Sequence, residues 1–230
     1  MSEAIISIEH VSRTYDAGKV VALRDVTLEI HPNEFVAITG VSGSGKSTLL
    51  NVMSGLDHAT AGRVLFEDDE PRTRRRWAAI RARRIGYVFQ RFNLLATLNA
   101  RRNVELPMFG VLGPAAERRR RAMALLERVG LAHRASHHPN ELSVGERQRV
   151  AIARSIVNAP VVLLADEPTG SLDTKSSAVV LSLLEEIRQS EGTALVMVTH
   201  DAEVAARADR QVQVQDGMIV TDNGRAGKRG

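Results

Sequence analysis

The chain has 230 residues, of which 43% are apolar and 25% are charged, with a formal net charge of +4 and an isoelectric point near 9.9. This composition excludes an intrinsically disordered chain, and the length is sufficient for a well-buried core. The absence of cysteine excludes disulfides and thiolate metal sites.

The positive charge is concentrated in arginine clusters at 72–76, 81–84 and 118–121. Such runs can contact nucleic acid or anionic lipid, but most of them are solvated helix faces. We therefore expect no nucleic-acid partner.

The sequence has neither a recognisable secretory signal nor a membrane-spanning segment. The N-terminal segment MSEAIISIEH has an acidic residue and an interrupted apolar run, unlike a secretory signal. The longest wholly apolar runs, such as 161–165, are far shorter than the roughly 20 residues that span a bilayer. A soluble, cytosolic protein is expected.

The first forty residues are predicted to be rich in short strands. Apolar residues alternate in IISIEHV and VTLEI, and FVAIT is a short buried run. A helix follows over KSTLLNVMSG, with Gly55 just after its C-terminus.

The remaining chain alternates between strands and helices. The predicted elements are a strand in RIGYVF, a mainly helical stretch from about Leu94 to Val157, a strand in VVLLA, a helix from Lys175 to Glu191, a strand in TALVMVT, a helix in DAEVAARA and a hairpin in QVQVQDGMIV around Asp216-Gly217. Apolar strands separated by helices predict a parallel sheet covered on both faces. The helical stretch interrupts this alternation and is assigned to a separate lobe.

A glycine-rich loop lies between a predicted strand and a predicted helix. Residues 40–47, GVSGSGKS, fit the pattern G-x-x-x-x-G-K-[ST] in the context that this motif requires. Its backbone amides can curl around phosphate oxygens, Lys46 can reach the β and γ phosphates, and Ser47 can offer its hydroxyl to Mg²⁺. The candidate nucleotide-binding residues here are Gly40, Ser42, Gly43, Ser44, Gly45, Lys46, Ser47 and Thr48.

Two carboxylates follow the predicted strand at 161–165. Ligands bind at the C-terminal ends of strands in α/β sheets, so Asp166 can hold Mg²⁺ through water and Glu167 can polarise an attacking water. Alone, an apolar run followed by two acids is more often a strand that runs out into solvent. Together with the loop, the pair predicts a site that binds phosphate groups and Mg²⁺.

The segment NELSVGERQR, residues 140–149, is predicted to open a helix. Ser143 can cap it, and Glu146, three residues later, can accept from the cap amide, which is the capping-box pattern. The same helix start can also bind an anion, because its free amides and the helix dipole favour negative charge.

Five segments together resemble the ATP-binding subunit of ABC transporters over roughly Ile5 to Val220. They are GVSGSGKST, Gln90 after YVF, LSVGERQR, LLADEPTGSLD and VTHD, in that order. The resemblance implies an α/β fold, a P-loop NTPase of the ABC ATPase type, with a mainly parallel sheet core, an antiparallel β subdomain and a helical subdomain. It implies a single domain over 1–230, with residues of about 5–90 and 160–220 in the nucleotide-binding lobe, about 91–159 in the helical lobe and 222–230 in a flexible tail.

The resemblance also implies ATP and Mg²⁺ as cofactors and roles for single residues. Tyr15 would stack on adenine, Gln90 would bind Mg²⁺ and sense the transmembrane partner, and His200 would contact the γ-phosphate. Glu167 would be the catalytic carboxylate. Considered singly, Tyr15 could be a strand-edge aromatic, and Gln90 or His200 a surface or capping residue.

In that family, the segment resembling LSVGERQR meets the γ-phosphate held by a second subunit, so a homodimer in ATP is implied. Ser143 and Gly145 would make that contact, and Asp173 would lie in the D-loop. The usual LSGGQ is altered at Val144 and Glu146. A second negative charge near the phosphate can weaken ATP binding between subunits.

Within the family, the segments after Gln90 and around 157–173 look most similar to the lipoprotein-releasing, macrolide-exporting and cell-division ATPases, although 55–62 differs from the usual proline-bearing version. That similarity implies a transmembrane permease partner and a peripheral location on the inner face of the cell membrane. A cell-division-type or non-transport ABC ATPase is the alternative. A solitary P-loop kinase or GTPase would have no use for LSVGERQR, and ABC ATPases of DNA repair or translation usually carry two cassettes or a long coiled-coil insertion.

Overall fold

The computed structural model describes residues 3–224. The strands are β1 (Ile6–Tyr15), β2 (Val20–Ile30), β3 (Phe35–Thr39), β4 (Ala61–Phe66), β5 (Ile85–Val88), β6 (Val162–Asp166), β7 (Ala194–Val198), β8 (Arg210–Gln215) and β9 (Met218–Asp222). The α-helices are α1 (Lys46–Met53), α2 (Arg74–Arg83), α3 (Ala100–Glu105), α4 (Ala115–Arg128), α5 (Val144–Ile156), α6 (Thr174–Glu191) and α7 (Ala202–Ala205).

The strands form two sheets. The larger has the order β5-β6-β7-β3-β8-β9, and its strands are parallel except for β9, which runs antiparallel to β8. The smaller is an antiparallel sheet of order β2-β1-β4. The predicted α/β fold, with a mainly parallel core, an antiparallel β subdomain and helices, is confirmed.

The central strands are continuous apolar runs because both faces of the larger sheet are covered. Along β6, Val162 and Leu164 belong to an apolar cluster with β1, β2 and α1, whereas Leu163 and Ala165 belong to a second cluster with α3 to α6. The second cluster includes most of the buried apolar residues of the predicted helical stretch. The assignment of about 91–159 to a separate lobe stays a prediction.

Two elements were not predicted from the sequence. Strand β4 pairs with β1, with Ile6 opposite Phe66, and completes the antiparallel sheet. Helix α2 is capped by Thr73, and its buried side chain is Trp77, which lies against Gly55. Arginines make up half of the 10 residues of α2, so its sequence shows little apolar periodicity.

The C-terminal hairpin forms around Asp216-Gly217 as predicted. The predicted flexible tail at 222–230 is wrong at its start, because Asp222 ends β9 and accepts hydrogen bonds from Arg210 at 2.7 and 2.8 Å. The part of that tail at 225–230 lies outside the described residues.

Candidate active site

The glycine-rich loop joins β3 to α1 and is packed tightly against neighbouring backbone. A Cβ at Gly40 would lie 2.1 Å from the carbonyl oxygen of Val214, and one at Gly45 would lie 2.4 Å from that of Ala22. Both glycines also have positive φ, at 143° and 106°. Side chains are therefore excluded at both positions, and the loop delivers the free amides of the first turn of α1 to one place.

The side chain of Lys46 is buried and crosses the loop. Its Nζ donates to the carbonyl oxygens of Gly40 at 2.8 Å and Val41 at 2.7 Å. Ser44 is also buried, and its Oγ has no hydrogen-bond partner among residues 3–224. A buried cation and an unpaired hydroxyl suit a ligand that carries phosphate oxygens.

The other predicted loop residues differ in exposure. Ser42 and Gly43 are exposed, as is Ser47, whereas Thr48 is half-buried in the first turn of α1. The exposed hydroxyl of Ser47 donates to Asp166 Oδ1 at 3.1 Å. The loop therefore meets the end of β6 through this hydrogen bond.

Asp166, the last residue of β6, is half-buried. Burial raises the pKa of its carboxyl group, and the hydrogen bond from Ser47 opposes this rise. A carboxylate and a hydroxyl are oxygen ligands of the kind that Mg²⁺ prefers. Among the described residues, no group of three or more His, Cys, Asp or Glu side chains could hold a metal ion, so phosphate and water oxygens would have to complete such a site.

Glu167 is brought together with the two other residues predicted for catalysis. Its Oε2 accepts from Gln90 Nε2 at 3.1 Å, and its Oε1 lies 3.5 Å from His200 Nδ1. Its backbone has a φ of 44°, and its N–H donates to Val198 O at 3.0 Å. Left-handed backbone at a non-glycine residue costs about 1–2 kcal/mol, and such strain is concentrated at functional sites.

The loop after Gln90 is fixed by an arginine that the sequence analysis missed. Arg154 of α5 is buried and donates to the backbone carbonyls of Phe92 and Asn93, both of which have positive φ. The signal available in the sequence was an arginine on the apolar side of the run VAIARSIV.

Tyr15 ends β1 and is half-buried. Its hydroxyl donates to Asp57 Oδ2 at 2.5 Å, and the guanidinium of Arg13 lies 4.4 Å from its ring centroid. Neither Arg13 nor Asp57 was identified from the sequence. Their contacts join segments more than forty residues apart, so local sequence patterns do not reveal them.

The predicted capping box at the start of α5 is present. Ser143 Oγ accepts from Glu146 N at 3.2 Å, and Glu146 Oε2 accepts from Ser143 N at 2.8 Å. The hydrogen bond from the Ser143 backbone holds the pKa of Glu146 below its usual value. Arg134 Nε also lies 3.5 Å from Glu146 Oε1. The carboxylate of Glu146 therefore contacts both the backbone at the helix start and a cation.

The start of α6 lies beside the start of α5. Asp173 caps α6 by accepting from Ser176 N at 2.9 Å and Ser176 Oγ at 2.7 Å. A Cβ at Gly145 would lie 3.0 Å from Ser176 Oγ. Within residues 3–224, the hydrogen bonds of Ser143 stay at its own helix start and do not join it to the glycine-rich loop.

No helix in the described part of the chain is long and apolar enough to cross a membrane. A family model described as ABC transporter matches residues 23–170.

The chain is similar to the macrolide export ATP-binding/permease protein MacB of Bradyrhizobium diazoefficiens, with 49% identity over 226 residues that cover 96% of this chain and 34% of that protein. It thus spans about a third of the length of the first curated relatives that it matches. It is also 49% identical to an ABC transporter ATP-binding protein of Thermotoga maritima, with 94% of this chain and 93% of that protein covered. Among solved structures, it is similar to the dimeric, post-hydrolysis ATP-binding cassette MJ0796 bound to ADP and Pi, with a TM-score of 0.88 and 40% identity. This match covers 94% of the present chain and 97% of the MJ0796 chain.

Proposed function

The chain belongs to the ABC transporter family, and on that premise we propose that it binds ATP with Mg²⁺, hydrolyses it and powers a separate membrane permease that exports a substrate. The proposal is supported by the matched family, by the name of the MacB relative and by the arrangement of the candidate residues. The observation that supports it most directly is that Ser47 donates to Asp166, while the next residue, Glu167, accepts from Gln90.

The residues present fit a bound nucleoside triphosphate. Lys46 and the unpaired hydroxyl of Ser44 would contact phosphate oxygens, with the amides of the first turn of α1. Tyr15 would contact the adenine base. Ser47 and Asp166 would hold Mg²⁺, with Gln90 nearby, and the ion would neutralise negative charge on the phosphate oxygens.

Glu167 would act as the general base. Its carboxylate would take a proton from a water molecule while the water oxygen attacks the γ-phosphorus, and the bond to the bridging oxygen would break to release ADP. Gln90 orients this carboxylate from one side, at 3.1 Å. His200, whose side chain is 65% exposed, would contact the γ-phosphate.

A second copy of the chain would complete the site. Ser143 and Gly145 lie at an exposed helix start, and Asp173 lies beside them at the start of α6. Ser143 Oγ accepts from Glu146 N, and its O–H would donate to a phosphate of the partner subunit when ATP is bound. The dimeric state of the similar MJ0796 cassette supports this homodimer.

The permease would hold the chain at the cytoplasmic face of the membrane. The MacB relative is named an ATP-binding/permease protein, and the match covers 34% of its length. The Thermotoga maritima relative, of which 93% is covered, is named an ABC transporter ATP-binding protein, and this supports a permease that is a separate subunit. Affinity purification from membranes, followed by mass spectrometry of the bound subunit, tests this partner.

The direct test of the ATPase is made with the purified chain. Calorimetry should show binding of ATP that is tighter with Mg²⁺, and phosphate release should require Mg²⁺. In Asp166→Asn, the gain in affinity due to Mg²⁺ should be lost, whereas Asp209→Asn, which changes an acid outside the site, should keep it. If the unmodified chain binds no ATP, the proposal is wrong.

A further inference from the structure

Three side chains form a compact cluster at the end of β1. Arg13 Nη2 lies 2.8 Å from Asp57 Oδ1, and Arg13 Nε donates to Asp57 Oδ2 at 3.0 Å, so the ion pair is bidentate. The hydroxyl of Tyr15 donates to the same Oδ2 at 2.5 Å. The side chains of Arg13 and Asp57 are only 23% and 21% exposed. Bidentate, charge-assisted contacts of this kind fix geometry more strongly than a single exposed pair.

The cluster fixes both the position and one face of the Tyr15 ring. The Asp57 carboxylate holds the phenol oxygen, and the guanidinium of Arg13 lies over the ring, 4.4 Å from its centroid. No second ring or cation lies against Tyr15 in the described part of the chain. One ring face therefore lies against a guanidinium, and the half-buried Tyr15 keeps part of its surface exposed to a flat ligand.

Tyr15 lies beside the glycine-rich loop. It pairs with Val20 at the start of β2, and two residues later the carbonyl oxygen of Ala22 lies 2.4 Å from the position that a Cβ on Gly45 would take. Asp57 follows the C-terminal end of α1, the helix whose first residue is Lys46, so the cluster joins the end of β1 to the segment after that helix. A molecule that has its phosphates at the loop could thus place a base against Tyr15.

We propose that Arg13 and Asp57 are positioning residues that hold the ring of Tyr15 against the adenine base of ATP. The proposal rests on the proposed function, because it requires ATP at the loop. Asp57 acts through the phenol oxygen and Arg13 through the covered ring face. The competing explanation is that the cluster only ties β1 to the segment after α1.

The experiment separates base binding from phosphate binding. The affinities of Mg-ATP and of magnesium with inorganic triphosphate, which has no base, are measured by calorimetry for the unmodified chain, Asp57→Ala, Tyr15→Phe and the double variant. Asp57→Ala should weaken ATP about 5-fold or more, as a share of the base-stacking energy is lost, and should leave triphosphate binding unchanged. Asp25→Ala, which removes an exposed carboxylate on β2, is the control and should change neither affinity.

The double variant tests whether Asp57 acts through Tyr15. In Tyr15→Phe, the ring remains but its hydrogen bond to Asp57 is absent, so adding Asp57→Ala should weaken ATP by a smaller factor than it does in the unmodified chain. Equal losses for ATP and triphosphate would assign the cluster a structural role, and unchanged ATP affinity in Asp57→Ala would also overturn the proposal. If Asp57→Ala does not fold, Tyr15→Phe alone decides, because it must lower ATP affinity and spare triphosphate. Absence of ATP binding by the unmodified chain would instead refute the proposed function.

Discussion

Arg154 donates a hydrogen bond from Nη2 to the backbone carbonyl of Phe92 at 2.6 Å, and so joins the helix that begins after Ser143 to the loop that follows Gln90. A second hydrogen bond runs to the carbonyl of Asn93. Burial lowers the pKa of Arg154 to about 10. Because burying this cation is unfavourable, its contacts with the loop must compensate for the desolvation.

Replacing Arg154 by methionine should destabilise the chain. Two carbonyls would lose a charged donor, and the left-handed turn at 92–93 would lose its support. We expect the free energy of unfolding in urea to fall by about 1.5–3 kcal/mol, the range for hydrogen bonds to charged groups. Arg102→Met, which changes an exposed arginine of α3, is the control and should change it by less than about 0.5 kcal/mol. Equal stability of the two variants would show that Arg154 does not support this loop.

Lys46→Ala should lose nucleotide affinity while the chain stays folded. The ammonium group is the buried cation of the loop, and no other side chain there can replace its charge. We expect ATP to bind roughly 10- to 100-fold more weakly, as loss of a charged hydrogen-bond donor implies. Calorimetry measures the affinity, and circular dichroism checks the fold. Lys175→Ala, at an exposed position of α6, should bind ATP as tightly as the unmodified chain; if Lys46→Ala does so too, the loop assignment is wrong.

Much of the fold could be predicted because its core strands are short apolar runs. Local sequence patterns, in which the relevant residues are close together along the chain, predict the strands β3, β6 and β7 and the capping box at Ser143. The structure has these elements where the sequence predicted them. Strand β4 could not be predicted in this way, since its pairing partner β1 is more than forty residues away.

The same distinction applies to the candidate site. The loop and the acids after β6 belong to local motifs, and the structure brings Asp166 to Ser47 and Glu167 to Gln90. Their chemical roles stay predictions. Asp57 could not be identified from the sequence, because its partners Arg13 and Tyr15 belong to a distant segment and only the fold brings them together.

Glu146 should stabilise the start of α5 in a pH-dependent way. Its pKa in the folded chain lies below the usual 4.5, because the backbone N–H of Ser143 donates to the carboxylate. A carboxyl group with a lowered folded pKa contributes stability above its unfolded pKa, and this contribution is lost as the pH falls through the folded pKa. Glu146→Ala should therefore lower the free energy of unfolding by about 1 kcal/mol at pH 7, and the difference should shrink below about pH 4.5.

Urea titrations at several pH values measure this difference. Glu117→Ala, which removes an acid from the first turn of α4 where no capping box forms, serves as the control. A difference for Glu146→Ala that stays constant from pH 7 down to pH 3 would contradict the assignment.

Leu95→Arg should disrupt the binding of the permease. Leu95 is 46% exposed in the loop between Gln90 and α3, so an arginine there can be accommodated without unfolding the chain. We expect less permease in affinity purification from membranes and unchanged ATP affinity. Val220→Arg, at a position of β9 that is 47% exposed, is matched in exposure and should retain the permease. Full recovery of the permease with Leu95→Arg would remove this loop from the proposed interface.

Glu167→Gln should separate ATP binding from hydrolysis. The amide keeps the size of the carboxylate and its hydrogen-bonding ability towards Gln90, but it cannot take a proton from water. Mg-ATP should therefore still bind, whereas phosphate release should fall by roughly 10²–10⁴-fold, as expected for the loss of a general base. Glu203→Gln, at an exposed position of α7, is the matched control and should hydrolyse ATP at the normal rate.

The same variant tests the shared phosphate site. If the γ-phosphate joins Lys46 of one subunit to the Ser143 helix start of the other, hydrolysis is what separates the subunits, and Glu167→Gln should accumulate as a dimer in saturating ATP. Adding Ser143→Arg places bulk at an exposed helix start, where the structure can accommodate it, and should abolish the dimer without weakening ATP binding to the monomer. Light scattering at high protein concentration measures the dimer, because an isolated subunit without its permease can associate weakly. A monomeric Glu167→Gln protein, or a double variant that dimerises as well as the single one, would refute a contact between Ser143 and the partner's ATP.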